Sequence, residues 1–171
     1  MNEPVRIVEV PEAALPLDFD AFLAREHAGL YSALCLVTRD RAEAEDVMQE
    51  AFLKIWERWD RVRELDRPDG YLYRTAFNVW RNRRRGVVRA LKRAADLIQR
   101  DDLSDVETRL DVVRALGWLT PRQRAALVLT DLLGYPSEEA GRMLGIKAPT
   151  VRVLASKGRE ELRRRIGEID A

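Results

Sequence analysis

Two sets of side chains in this sequence are of types and spacings that bind polyanions. Lys147, Arg152, Lys157, Arg159, Arg163, Arg164 and Arg165 crowd one C-terminal stretch, opposed there only by Glu160 and Glu161. Within it Val151, Ala155, Gly158, Leu162 and Ile166 recur at three- and four-residue spacing, the period of one buried helix face. The complementary face then carries Lys147, Pro149, Thr150, Arg152, Val153, Ser156 and Lys157. Such a face can hold phosphates and donate to base edges in a major groove. A solvated basic face on an ordinary helical hairpin has the same pattern.

The second set lies near the middle of the chain, where residues 71–93 hold eight bases and no acid. Helical spacing predicts that Leu72, Thr75, Ala76 and Val79 are buried there, with Trp80 beside them. Tyr73, Arg74, Phe77, Asn78 and Arg81 then project, ahead of the run Arg83-Arg84-Arg85. Aromatic and basic side chains on one helix face can stack on unpaired bases while holding their phosphates. An aromatic core with a basic cap at the helix C-terminus fits the pattern equally. A third surface, Glu43, Asp46, Gln49, Glu50, Lys54 and Glu57, has the look of a solvated helix face.

Covalent chemistry is not expected. No nucleophile–base pair, metal-ligating set or glycine-rich phosphate loop stands out, so the chain reads as a non-enzyme without a cofactor. The one histidine, His27, has no partner signature and reads as ordinary surface. The one cysteine, Cys35, excludes an internal disulfide, and its neighbours Leu34, Leu36 and Val37 make it a small buried hydrophobe.

Helices must position these sets. Thr120 and Pro121 supply a hydroxyl N-cap and a proline at N1, and Gly134 with Pro136 ends that helix. A short helix fits Ser137–Leu144, with Gly141 where a neighbouring helix can approach closely. Gly145-Ile146-Lys147 forms a tight turn, and the basic helix follows with Pro149 in its first turn. Short helix, glycine turn and longer helix make a helix-turn-helix. Upstream, Asp18 is placed to cap a helix bearing Phe19, Phe22, Leu23, Leu30, Tyr31 and Leu34. A second helix spans about 40–61, with a stripe of Val47, Met48, Ala51, Phe52, Ile55, Trp56 and Trp59. Pro68-Asp69-Gly70 precedes a third helix, expected from Tyr71 to about Arg85. Ser104-Asp105-Val106-Glu107 fits a capping box that opens a helix with Val106, Leu110, Val113 and Leu116.

These elements predict an all-α chain of two small helical domains joined by a short linker. The boundaries read as a mobile tail at 1–17, a first domain at 18–86, a linker at 87–104 and a second domain at 105–171. A 46% hydrophobic content suffices for packed cores. No apolar run approaches the roughly 18 residues that span a bilayer, and no secretory signal opens the chain, so a cytoplasmic protein without membrane insertion is expected. The net charge of +1 conceals two basic blocks set between acidic ones, which implies two separate polyanion-contacting surfaces.

Two blocks resemble one family in the right order. DRAEAEDVMQEAFLKIWERW, continuing through PDGYLYRTAFNVWRNRRR, resembles region 2 of the extracytoplasmic-function sigma factors, a group within the sigma-70 family. TPRQRAALVLTDLLGYPSEEAGRMLGIKAPTV resembles region 4 of the same family. The resemblance implies a sigma factor that joins core RNA polymerase to promoter DNA. The helix with Asp46, Gln49, Glu50 and Lys54 would meet the β′ coiled coil. The loop Leu65–Gly70, with Asp66 and Arg67, would capture a flipped base of the melted −10 element. Tyr73, Arg74, Phe77, Asn78, Arg81 and Arg84 would face that strand, while the basic C-terminal helix reads the −35 duplex and region 4 touches the β flap. An anti-sigma factor is a further partner the resemblance leaves room for. Pro136, Lys147, Leu154 and Ala155 depart from the family's usual residues. A freestanding helix-turn-helix regulator of duplex DNA and an adaptor that binds polymerase through its acidic helix remain as alternatives.

Overall fold

The computed structural model describes residues 18–93 and 110–169, and within them every element is helical. The tail at 1–17, the acidic end of the connector and the capping box at 104–107 lie outside the described residues, as do the side chains of Leu110, Val113 and Ile166. Helix α1 (Phe19–Thr38) buries Phe22, Leu30 and Leu34 completely, though Asp18 makes no side-chain cap to it. Each such burial stabilises by about 1.5–3 kcal/mol. The chain then turns within two residues. Arg39 adopts φ 60° and donates its N–H to the Cys35 carbonyl at 2.9 Å, and Asp40 caps α2 (Arg41–Trp56) by accepting from Glu43 N at 3.0 Å.

The second helix is shorter than its apolar stripe implied. It stops at Trp56, Arg58 leaves helical geometry, and a single turn, α3 (Trp59–Val62), follows. The break carries Trp59 onto Phe19 and Phe22, with ring centroids 5.3 and 5.1 Å away. Trp56, expected in the core stripe, is instead 59% exposed and only touches the edge of Phe19. Helix α4 (Pro68–Arg93) begins at its proline and continues past the expected end at Arg85. It packs on α2, and its Leu72, Ala76 and Val79 are buried in the common core.

A second bundle holds α5 (Leu110–Gly117), α6 (Pro121–Leu127), α7 (Ser137–Leu144) and α8 (Ala148–Ile169). Thr120 caps α6 reciprocally with Gln123: its hydroxyl accepts from Gln123 N, while the Gln123 amide oxygen accepts from Thr120 N at 2.9 Å. Past Leu127 the helix widens into a π-helical turn (Val128–Leu132), and Gly134 at φ 71° swings Tyr135 inward. Gly141 serves a closer contact than helix against helix. A Cβ there would lie 2.7 Å from the Ile146 carbonyl oxygen, so the tight turn itself rests on it. The two bundles are packed together, α4 against α7 and α1 against α6, and share one continuous core.

Gly145 ends α7 at φ 64°, and the Arg81 guanidinium occupies the space a Cβ would take. Gly145→Ala therefore costs at least about 1 kcal/mol from its left-handed backbone alone. Gly86, inside α4 with nothing near its missing Cβ, behaves oppositely. Gly86→Ala stabilises by roughly 0.5–1 kcal/mol. Urea denaturation of both variants checks the opposite signs.

Candidate nucleic-acid interface

All seven side chains expected on the reading face of α8 are exposed: Lys147, Pro149, Thr150, Arg152, Val153, Ser156 and Lys157. Opposite them Val151 and Ala155 are buried, and Gly158 lets Leu127 of α6 approach until a Cβ would sit 2.7 Å from its Cδ1. Sequence periodicity thus sorts this helix as expected, and α7 with the Gly145 turn props its N-terminus outward. Arg152 reaches Glu138 of α7 at 3.1 Å, an exposed pair that orients the guanidinium without burying it. Arg159 grips both carboxylate oxygens of Asp131 at 3.0 and 2.9 Å. Arg164 and Arg165 both bind Glu161. Lys147 and Lys157 have no ion pair among the described residues, so their charge is free for an incoming phosphate.

Helix α4 is divided differently from the sequence expectation. Tyr73 and Phe77, expected to project, are 6% and 0% exposed. Phe77 sits edge-on to Trp80 at 6.1 Å. Tyr73 lies 5.8 Å from the ring of Tyr135, and burial, followed by the charges of Glu26 and Asp69, pushes its hydroxyl pKa up to about 12. Their burial has a simple cause: α4 is covered by α2 on one side and α7 on the other. Arg81 is half-buried under the Gly145 turn and donates to Asn78 Oδ1 at 2.8 Å. Arg84 lies over Trp80 at 5.7 Å.

What remains open on α4 is a groove of about 330 Å³ against α2, lined by Lys54, Arg58, Tyr71, Arg74, Asn78 and Asn82 among others. Arg58, Tyr71 and Asn82 were missed in the sequence reading. The missed signal was the i, i+4, i+8 spacing of Arg74, Asn78 and Asn82, which aligns three polar side chains on one helix row. Glu50 also lines the groove and pairs with Lys54, which leaves Arg58 and Arg74, with the carboxamides of Asn78 and Asn82, as the groups suited to a sugar–phosphate strand with exposed base edges. A smaller cleft of about 260 Å³ separates the 65–70 loop from α7. Asp66 is exposed on that loop, and Arg67 pairs with Asp69 at 2.9 Å and Glu139 at 3.7 Å. Burial works to raise the Asp69 pKa, but hydrogen bonds from Arg67 and the Gly70 N–H prevail and lower it.

The acidic surface of α2 is not simply solvated. Arg83 of α4 bridges Glu50 at 3.0 Å and Asp46 at 3.3 Å, and Lys54 lies 3.6 Å from Glu50. Gln49 is exposed and donates to Glu45 at 3.3 Å. Beside them Leu53 and Trp56 are 62% and 59% exposed. Two large apolar side chains among polar neighbours on one helix form a patch of the kind protein partners cover. Away from these surfaces, His27 is exposed, and Cys35 is half-buried, its thiol pKa raised by burial.

A helix-turn-helix with a free basic reading face, fused to a helical bundle with its own polar groove, defines a two-surface protein of the helix-turn-helix class. Family models agree in detail: sigma-70 region 2 matches residues 22–90 and sigma-70, region 4 matches residues 109–162. The ECF RNA polymerase sigma factor SigM of Mycobacterium tuberculosis is 30% identical over 154 residues, 89% of this chain and 79% of its own length. The sigma factor CarQ of Myxococcus xanthus is 30% identical, covering 89% of this chain and 91% of its own. For SigE of Mycolicibacterium smegmatis, 34% identical, the chain spans 62% of the relative's length. Among solved structures, the sigma factor RpoE in complex with the anti-sigma factor NepR from Bartonella quintana superposes with a TM-score of 0.75. It is 21% identical, and the match covers 88% of this chain and 97% of that one. The chain belongs to the extracytoplasmic-function sigma factors of the sigma-70 family. No helix among the described residues is long and apolar enough to cross a membrane.

Proposed function

We infer that the chain acts as an alternative sigma factor: it binds core RNA polymerase and directs initiation at promoters it selects itself. The observation that carries this reading is the coexistence of two separate basic and polar surfaces, the α8 face and the α2–α4 groove, with an exposed apolar patch beside the second. A freestanding regulator of duplex DNA needs only the first. In this reading residues 18–86 form region 2 and residues 105–171 region 4. Lys147, Pro149, Thr150, Arg152, Val153, Ser156 and Lys157 read the −35 duplex. Arg74 and Asn78, joined by Asn82, hold the melted −10 strand, and the loop bearing Asp66 and Arg67 receives an unstacked base. Asp46, Gln49, Glu50 and Lys54, extended by Leu53 and Trp56, dock on the polymerase β′ coiled coil. An anti-sigma factor, NepR, accompanies the RpoE structure that shares this fold, and an anti-sigma factor is a natural partner here as well.

Mixing the protein with bacterial core polymerase and separating the mixture by gel filtration tests the assignment. Co-elution at one-to-one stoichiometry is expected, and a protein that always elutes alone is not a sigma factor. The groove has its own test. The full chain binds a single-stranded −10 oligonucleotide in preference to the same sequence as duplex. Asn78→Ala and Asn82→Ala each weaken that binding by about 1 kcal/mol, roughly fivefold, the net worth of one hydrogen bond. Fluorescence anisotropy at a single salt concentration measures both effects, since bulk charge alone favours duplex.

A further inference from the structure

Val153 stands at the crown of the α8 reading face. With about 3.6 residues per turn, its side chain points roughly 160° away from each of Val151 and Ala155, which fix the helix in the core. It is 52% exposed, and of the large apolar side chains exposed among the described residues it alone belongs to α8. Pro149 and Ser156, one turn to either side of it, are compact and exposed, so nothing on its own row overtops it. Arg152, the long side chain beside it, is tied to Glu138 of α7 at 3.1 Å.

A single exposed apolar residue is ordinary on a protein surface. What matters here is where it points. The N-terminal part of a recognition helix meets base edges, and the side chain farthest from the core goes deepest into the major groove. Adenine, guanine and cytosine present hydrogen-bonding groups there, whereas thymine adds a C5 methyl. Val153 has neither a donor nor an acceptor in its side chain. Against the edge of adenine, guanine or cytosine it would displace water and return no hydrogen bond, which is unfavourable. Against thymine, two apolar surfaces leave water together.

Resting on the assignment of α8 to the −35 duplex, we propose that Val153 is a specificity-determining residue that selects one thymine through its C5 methyl. The choice has an attractive and a repulsive side: contact favours thymine, and desolvation rejects the other bases. A β-branched side chain in a helix holds essentially one χ1 rotamer, so both Val153 methyls are in place before DNA arrives and little freedom is lost on contact. Arg152 and Lys157 supply hydrogen bonds and charge around a position read by shape.

Duplexes selected from a random pool on the full chain should share an invariant thymine in the bound sequence. Replacing that thymine by deoxyuridine removes one methyl group and leaves every hydrogen-bonding group of the base in place. The wild-type chain should bind the uridine duplex about fourfold more weakly, the worth of one buried methyl. Val153→Ala should lose affinity for the thymine duplex by a similar factor and no longer tell thymine from uridine. Alanine is the better helix former and the position is exposed, so circular dichroism should show an intact fold. Lys157→Ala supplies the contrast: it weakens both duplexes alike and keeps the wild-type ratio between them. If every thymine tolerates uridine, or if the ratio survives in Val153→Ala, the role of Val153 is overturned while the −35 reading stands. A chain that selects no sequence from the pool fails the −35 reading itself, and the role of Val153 with it.

Discussion

Arg152→Glu weakens binding of a −35 duplex by about 1–3 kcal/mol, roughly 5- to 150-fold, the worth of one good base-edge contact. Arg152 stands in the middle of the exposed α8 face and is oriented by Glu138, so its reversal leaves two carboxylates facing the groove. The fold should survive, because that ion pair is solvent-exposed and worth little to stability. Lys157→Glu supplies the contrast. With no partner in the described structure, Lys157 is set to neutralise a phosphate, and its reversal should lower the log–log salt slope by about 0.9 while leaving sequence preference intact. Titrations of one duplex at several salt concentrations, repeated with a scrambled duplex, separate the two behaviours. Unchanged affinity in both variants would move the reading face elsewhere.

The second large effect lies on α2. Trp56→Ala should cost at least about 2 kcal/mol of core polymerase affinity, roughly 30-fold, as an exposed aromatic anchor at an interface centre does. Its ring makes one edge contact to Phe19 and is otherwise open, so stability should change little. Glu50→Lys should weaken the same complex by placing a third cation beside Arg83 and Lys54. Binding of the −35 duplex should survive in both variants, since neither residue is on α8. Competitive binding against a labelled reference sigma factor reads the loss, and normal competition by the double variant would return this face to plain solvent.

The C-terminal half was legible because its signals agree. At Thr120 and Pro121 the capping chemistry leaves one start for α6, and along α8 the charge pattern and the apolar period select the same face. The middle of the chain is harder for a physical reason. Helix α4 carries two apolar rows, and periodicity cannot say whether the second, Tyr73 with Phe77, meets solvent, DNA or another part of the chain. Its cover includes Tyr135, more than sixty residues away and turned inward only because a π-helical turn and Gly134 redirect the backbone. The α2–α3 break was equally hidden: no glycine or proline marks Glu57-Arg58, and only the packing of Trp59 on Phe19 and Phe22 explains it. Trp56 shows the converse failure. Its place in the stripe is that of a core residue, yet the helix ends there and leaves the ring outside. In each case the period along one helix pointed to the wrong outcome, because what decided it lay elsewhere in the fold.

Both nucleic-acid surfaces and the polymerase face act together only in initiation, so run-off transcription with purified core polymerase tests the account most directly. The template is a promoter recovered by selecting random duplexes on the full chain. The account predicts transcripts that appear only when this protein is added. Asn78→Ala and Asn82→Ala together should reduce them strongly on duplex templates and much less on a template whose −10 region is already unpaired. RNA that is independent of the added protein, or loss from the two asparagine substitutions that pre-melting does not relieve, would contradict it.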